Sequence, residues 1–232
     1  MVRRTKADAQ ATRHRLLDAA EQLFQARGVS RTSLNDIAQA AGTTRGAIYW
    51  HFKDKADLFN AMMERVTLPM EESLQCVVGQ QSLDPIEGLR AALLEALRKT
   101  AGDAQTRRVF EVATHKVEYV DELMAVQQRH LQVRNQCLAR TEQALERAVA
   151  LRARPLPLPV TTAALGLHVM VDGLIQNWLL DPAAFDLVAS GRQLTDLYLA
   201  GLGLVGTAPA SVASEPVAGG LSGPVRMCVQ AL

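Results

Sequence analysis

The 232-residue sequence has little of what builds disulfide frameworks, metal centres or membrane spans. Its three cysteines, Cys76, Cys137 and Cys228, are far apart and form no Cys-x-x-Cys pair, which argues against a disulfide framework or a zinc site. They read as buried thiols, with redox sensing as the alternative. No run of about 18 uninterrupted apolar residues occurs, and the N-terminus is basic rather than apolar. Neither a membrane span nor a secretory signal is therefore expected, and the expected compartment is the cytoplasm. No nucleophile–base pair, metal-ligand cluster or credible cofactor loop is found, so no enzyme, catalytic residue, metal or cofactor is expected. Gly201-Leu-Gly-Leu-Val-Gly206 matches the dinucleotide fingerprint letter for letter but follows a helical pattern and precedes Thr-Ala-Pro; without a βαβ context it reads as a helix C-terminus.

Net charge is also nearly absent, at +1, but this hides an asymmetry. Residues 1 to 55 carry ten Lys or Arg against five Asp or Glu, a net of +5, and the remainder carries 15 against 19, a net of −4. A basic N-terminal part implies a polyanionic partner, and Arg45, Lys53 and Lys55 lie too far along to belong to a basic arm with Arg3, Arg4 and Lys6. Aromatic residues are scarce as well, ten in all, yet Tyr49, Trp50 and Phe52 place three of them within four positions.

Those three belong to residues 32 to 55, around which the chain is organised. Ser33 is placed to cap a short helix with Leu34, Ile37, Ala38 and Ala41 at 3.6 spacing, and Gly42 ends it. Thr43 or Thr44 can cap a second short helix through about Trp50, giving a helix-turn-helix. With Ala47 and Ile48 inward, Thr44, Arg45, Gly46, Tyr49, Trp50 and His51 remain outside. Arg and hydroxyls suit base edges, aromatics suit sugars and thymine methyls, and Lys suits phosphates. Gly46 would let the helix backbone come close to a phosphate.

The rest of the pattern is helical. A first helix, about 9 to 27, offers Leu16, Leu17, Ala20, Leu23 and Phe24 to a three-helix core with Leu34, Ile37, Ile48 and Phe52. Asp54 can cap a fourth helix, which Pro69 should bend or break. Asp84-Pro85 and Asp103 open two more, and a long helix is expected over about 119 to 152. The Arg154-Pro-Leu-Pro-Leu-Pro159 stretch cannot be helical. Helices over about 161 to 180 and 184 to 203 follow, and the tail after Gly206 has no period and is expected to be disordered. The expected fold is all-α with about nine helices. A helix-turn-helix DNA-binding domain over 1–54 would precede a ligand-binding and dimerisation domain over 55–205 and a tail over 206–232.

Residues 12 to 59, centred on Ala-Gly-Thr-Thr-Arg-Gly-Ala-Ile-Tyr-Trp-His-Phe-Lys-Asp-Lys, resemble the DNA-binding domain of the TetR family of repressors. The opening Met-Val-Arg-Arg-Thr-Lys, the Thr114-His-Lys-Val-Glu118 stretch and Val171-Asp-Gly-Leu-Ile-Gln-Asn-Trp-Leu-Leu180 resemble its AcrR and TtgR branch, which controls multidrug efflux pumps. The resemblance implies a homodimer paired through the last two helices, and release from a palindromic double-stranded operator by a hydrophobic small-molecule effector. A pairing of two copies also follows from DNA geometry, since one short helix reads only a few base pairs and a second is needed about one turn, roughly 34 Å, away. Arg45, Tyr49, Trp50 and His51 are expected in the major groove, with Ser33, Thr43, Thr44, Gly46 and Lys55 at the backbone.

For the effector, His168 and Asp172 share a face of an apolar helix, where a carboxylate is costly unless paired or facing a polar cavity; an ion pair and a ligand site are both open readings. The resemblance places Asp172 at a drug pocket. Phe110 and Thr114 fall at i and i+4 as a second wall, and branch members more often carry a small polar or thioether residue and a His at those positions, so a more apolar pocket is implied. Val66, Met70 and Leu74 on the fourth helix, Cys137 and Thr141 on the long helix, and Leu93, Ala113, Val171 and Gln176 complete the expected set. The alternatives are a related regulator of an unrelated metabolic operon and a nonspecific DNA-binding protein.

Overall fold

The structure, a computed structural model, describes residues 6–79, 84–118 and 120–205, and the side chains of 73–79 are excepted. The expected tail, Arg3, Arg4, Cys228 and the side chains of Leu74 and Cys76 lie outside the described residues. Among the described residues there are nine α-helices and no strand: α1 (Lys6–Arg27), α2 (Leu34–Ala40), α3 (Arg45–His51), α4 (Lys55–Gly79), α5 (Pro85–Gly102), α6 (Ala104–His115), α7 (Met124–Arg152), α8 (Val160–Leu180) and α9 (Leu187–Gly201), with a 3-10 turn at Asp121–Leu123 before α7.

Most helix starts are set by side chains that accept the orphan amides of the first turn. Asp84 accepts from the Ile86 amide with Pro85 in the first turn, Asp103 from Gln105 and Thr106, and Asp186 from Val188 and Ala189. That last cap starts α9 at Leu187, three residues later than its hydrophobic pattern suggested. The long helix starts at Met124 rather than 119, because the turn before it drops Leu123 into the core at 0% exposure. Pro69 does not break α4, which runs continuously through it. The prolyl nitrogen cannot serve the carbonyl one turn earlier, but Pro69 is exposed, where water can. The fingerprint match begins at Gly201, the last residue of α9, and runs on through Gly203, which lies in the left-handed region at φ +73°.

The first hydrophobic core joins Leu16, Leu17, Ala20 and Phe24 of α1 to Ile37, Ile48 and Phe52, and is closed by Phe59 and Met62 of α4 and Val109 and Val112 of α6. Burying each such large side chain contributes about 1.5–3 kcal/mol before entropy is counted. The three-helix unit is thus welded to the helices that follow. Polar contacts reinforce the joint: Gln25 donates to Glu111 at 2.8 Å, and the Val29 amide to the Lys116 carbonyl at 3.0 Å. Glu21, 1% exposed on the apolar stripe of α1, faces Arg65 of α4 at 3.2 Å, Gln105 of α6 at 2.9 Å and Arg108 of α6 at 3.6 Å.

The body packs α5, α7, α8 and α9 around two further apolar clusters. By length and composition α8 could cross a membrane, but one face of it is spent on these clusters. The opposite side exposes Leu165, Val169 and Leu180, and α9 exposes Leu194 and Leu197, the last at 70%.

Candidate nucleic-acid interface and effector region

The turn between α2 and α3 is held at both ends. The Ser33 hydroxyl accepts from the Asp36 amide at 3.2 Å, while the Asp36 carboxylate accepts from the Ser33 amide at 2.9 Å, a reciprocal capping box. The Ser33 hydroxyl, which donates to the Asp36 carboxylate at 2.6 Å, and the Ser33 amide together hold that carboxyl below the usual carboxylate range. Gly42 takes φ +63°, which glycine adopts freely, and Thr44 caps α3 by accepting from the Ala47 amide at 3.2 Å. Of the two possible caps the structure therefore uses Thr44, and Thr43 is half-buried behind it.

Ile48 and Phe52 anchor α3 at 0% and 2% exposure, and the Arg13 guanidinium lies 5.2 Å from the Phe52 ring centre. With that anchor inside, Arg45, Gly46, Tyr49 and Trp50 face outward, Trp50 at 73% exposure and Tyr49 at 49%. Arg45 lies 5.7 Å over the Tyr49 ring, and the Trp50 and half-buried His51 rings meet edge-on at 4.6 Å. Exposing large rings forgoes the burial that would stabilise the fold, so the arrangement suits a surface that meets something else. A methyl at Gly46 would meet only Thr44 Oγ1, at 3.9 Å, so nothing inside the protein demands glycine there.

One expected phosphate contact, Lys55, is corrected. Lys55 is 6% exposed; its ammonium donates to the carbonyls of Val29 and Thr32, each at 3.2 Å, and pairs with Glu122 at 3.1 Å. Once those carbonyls are buried beneath α4 they need a donor, and Lys55 is in reach, so its charge ties the reading unit to the turn before α7. Ser33 is exposed and donates its hydroxyl proton to Asp36 at 2.6 Å within the capping box.

The expected effector residues divide. Leu93 of α5, Phe110 of α6 and Val171 of α8 meet in one apolar cluster beside Trp178, and Ala113 and Thr114 follow half-buried along α6. Phe110 also touches the first core, so it lies between the reading unit and the body. Cys137 is half-buried, Thr141 is buried and donates to the Cys137 carbonyl at 3.0 Å, and Met70 is half-buried on α4. Burial, with the Glu71 charge adding, pushes the Cys137 thiol up. Val66 is corrected: at 2% exposure it belongs to the packed core joining α1, α4 and α6. Asp172 is exposed, bonded by Gln176 one turn on, and does not form the enclosed His168–Asp172 ion pair that was one open reading. Burial depresses the His168 pKa, while the Asp172 charge pulls it upward. The pattern reading missed Glu21, whose place on α1 between Leu17 and Phe24 was a signal, and Glu71, which had none beyond its position after Pro69.

An outward Arg-Tyr-Trp helix, held by a capped turn on a basic three-helix unit, is the reading head of a DNA-binding regulator. Residues 16–62 match the family described as bacterial regulatory proteins, tetR family, and residues 84–203 match the MAATS-type transcriptional repressor C-terminal region. The chain belongs to the TetR family of transcriptional repressors. It is 39% identical over 199 residues to the probable regulator ArpR of Pseudomonas putida, covering 86% of this chain and 95% of that one. It is 38% identical over 199 residues to the regulator TtgR, also of Pseudomonas putida, at the same coverage. Among solved structures, NalD of Pseudomonas aeruginosa, the secondary repressor of the MexAB-OprM multidrug efflux pump, superposes with a TM-score of 0.79 at 37% identity, over 84% of this chain and 98% of that one. A SmeT–triclosan complex superposes with a TM-score of 0.75 at 32% identity, over 90% and 99%. SmeT is the repressor of the Stenotrophomonas maltophilia multidrug efflux pump SmeDEF. These relatives are regulators rather than enzymes.

Proposed function

We propose that the protein is a homodimeric repressor of a multidrug efflux operon, working in the cytoplasm, that leaves a palindromic operator when a hydrophobic, aromatic small molecule binds its body. The observation that carries the DNA half of this reading is the exposure of Arg45, Tyr49 and Trp50 on a helix anchored from behind by Ile48 and Phe52. Residues 1–54 would read the operator, and 55–205 would hold the effector and the partner subunit. Thr43, Thr44, Gly46 and His51 would flank the reading surface. The exposed leucines of α8 and α9 support pairing of two copies, since a second subunit would cover them.

The effector half rests on the position of α6. It carries Phe110 toward the body, Ala113 against the first core, and Gln105, Arg108 and Glu111 toward α1. A molecule that displaced Phe110 would therefore press on the same helix that grips the reading unit. It shifts the dimer only if it binds one spacing of the two reading helices better than the other. Cys137, Thr141, His168, Val171, Asp172 and Gln176 are proposed as the facing side of that region. The descriptions of NalD and SmeT as efflux repressors, and of triclosan bound to SmeT, support the pump and the ligand class. The test is selection of operator sites from a random DNA pool, then measured release by a panel of hydrophobic cations, antibiotics and flavonoids. Discrete half-sites and release by some of the panel are expected; equal affinity for all sequences at fixed salt would remove the reading.

A further inference from the structure

Arg45 and Tyr49 of α3 line an open cleft of about 460 Å³, which they share with Arg31 from the turn between α1 and α2, Asp36 of α2 and the Lys55–Glu122 pair. The charges of this cleft are unevenly committed. Lys55 is spent on the carbonyls of Val29 and Thr32 and on Glu122, and Asp36 is engaged by both donors of Ser33. Arg31 is exposed and, among the described residues, forms no ion pair. Its bond is from Nε to the Arg27 carbonyl, at 2.8 Å. Arg27 is the last residue of α1, so that carbonyl has no amide one turn on to serve it, and Arg31 supplies the missing donor. The bond holds the stem of the side chain and leaves both terminal nitrogens of the guanidinium without a partner among the described residues. A cation restrained in this way has already lost part of the freedom that pairing costs. Exposed Arg98, by contrast, is answered by Glu95 on its own helix at 3.2 Å.

We propose that Arg31 is a backbone-binding residue of the reading unit, its guanidinium taking a phosphate of the duplex at the mouth of this cleft. This deepens the DNA reading above and rests on it for the surface that meets the duplex. The phosphate contact expected of Lys55 passes to the turn between α1 and α2, because one cation of the cleft is used up inside the fold and the other is not. The planar fork of arginine matches two phosphate oxygens at once. A phosphate contact carries no base preference, so Arg31 acts on affinity and its salt dependence, while Arg45 and Tyr49 act on sequence.

The experiment is the salt dependence of DNA binding by the full-length protein, read by fluorescence anisotropy on a selected operator and on a scrambled duplex of the same length, for the wild type, Arg31→Ala and Arg31→Lys. In Arg31→Ala the slope of log affinity against log salt should become shallower by about 0.9 for each subunit bound, hence by about 1.8 for a homodimer, and by the same amount on both duplexes. Arg31→Lys keeps the charge and should keep most of the wild-type slope. Urea unfolding accompanies the titrations, and the exposed position is expected to leave both variants folded. An unchanged slope in Arg31→Ala overturns the proposal and leaves Arg31 a solvated surface charge. A loss confined to the operator also overturns it, since that marks a base contact. So does an equal loss in Arg31→Lys, which traces the effect to the Arg27 bond rather than to the charge. A wild type that binds neither duplex removes the DNA reading itself and Arg31 with it, whereas normal operator binding with an unchanged slope in Arg31→Ala removes Arg31 alone.

Discussion

Replacing Glu21 by glutamine should leave the protein nearly as stable as before, whereas replacing Arg65 by methionine should not. Glu21 is 1% exposed and meets Arg65 at 3.2 Å, Arg108 at 3.6 Å and the Gln105 amide at 2.9 Å. Three partners suggest a strongly favoured carboxylate, yet its pKa is raised, because loss of water outweighs the hydrogen bond from Gln105 and the pull of Arg65 and Arg108. A buried ion pair of this kind gains in attraction about what it loses in hydration. Glutamine keeps an oxygen for Gln105 and sheds the hydration penalty, while Arg65 retains Asp18 at 2.8 Å. The net change is expected to be about 1 kcal/mol or less. Arg65→Met instead leaves the Glu21 charge with the more distant Arg108 and the neutral Gln105 amide, at a cost of about 3 kcal/mol. The pH dependence follows in sign. A carboxyl whose folded-state pKa is raised takes up its proton in the folded state first, so the wild type should gain stability relative to Glu21→Gln as pH falls through that raised value toward the ordinary carboxylate range. Urea unfolding of the three proteins at neutral and mildly acid pH reads both effects. A loss above about 3 kcal/mol in Glu21→Gln, with wild-type stability falling relative to the variant on acidification, would refute the reasoning.

Tyr49→Ala should weaken operator binding by about tenfold or more while leaving the association state unchanged, read by fluorescence anisotropy and sedimentation at fixed salt. Leu197→Arg should leave the helical content intact and yield a monomer that has lost the operator, because it sets a charge into the exposed α8–α9 stripe proposed to pair. Lys55→Met should destabilise by about 2–3 kcal/mol through the orphaned Val29 and Thr32 carbonyls, yet leave the salt slope of DNA binding unchanged; a shallower slope would return Lys55 to a phosphate.

The all-helical fold was legible because local and global signals agree. Ser33, Thr44, Asp84 and Asp103 stand where caps are needed, and the 3.6-residue stripes of α1 and α4 become the first core. Phe52 could be assigned inward and Trp50 outward from the same stripe. What stayed hidden depends on through-space partners. A lysine at the start of a helix reads as a surface charge until the Val29 and Thr32 carbonyls are seen beneath it. Val66 lies in register with Met70, but α4 passes from the first core into the body between them, so one turn of helix changes what the side chain meets. Asp172 drew notice by its apolar neighbours in sequence, whereas Glu71 and Thr195, in stretches of ordinary polarity, carry the buried oxygens without a partner among the described residues.

On this reading two copies of α3 meet one duplex at a spacing set by the paired bodies. The most direct test is the mass of the complex with a selected duplex, together with a footprint at single-base resolution. An even number of subunits per site is expected, with protected half-sites about one helical turn, roughly 34 Å, apart. A single subunit on the duplex, or continuous protection with no half-sites, would contradict it.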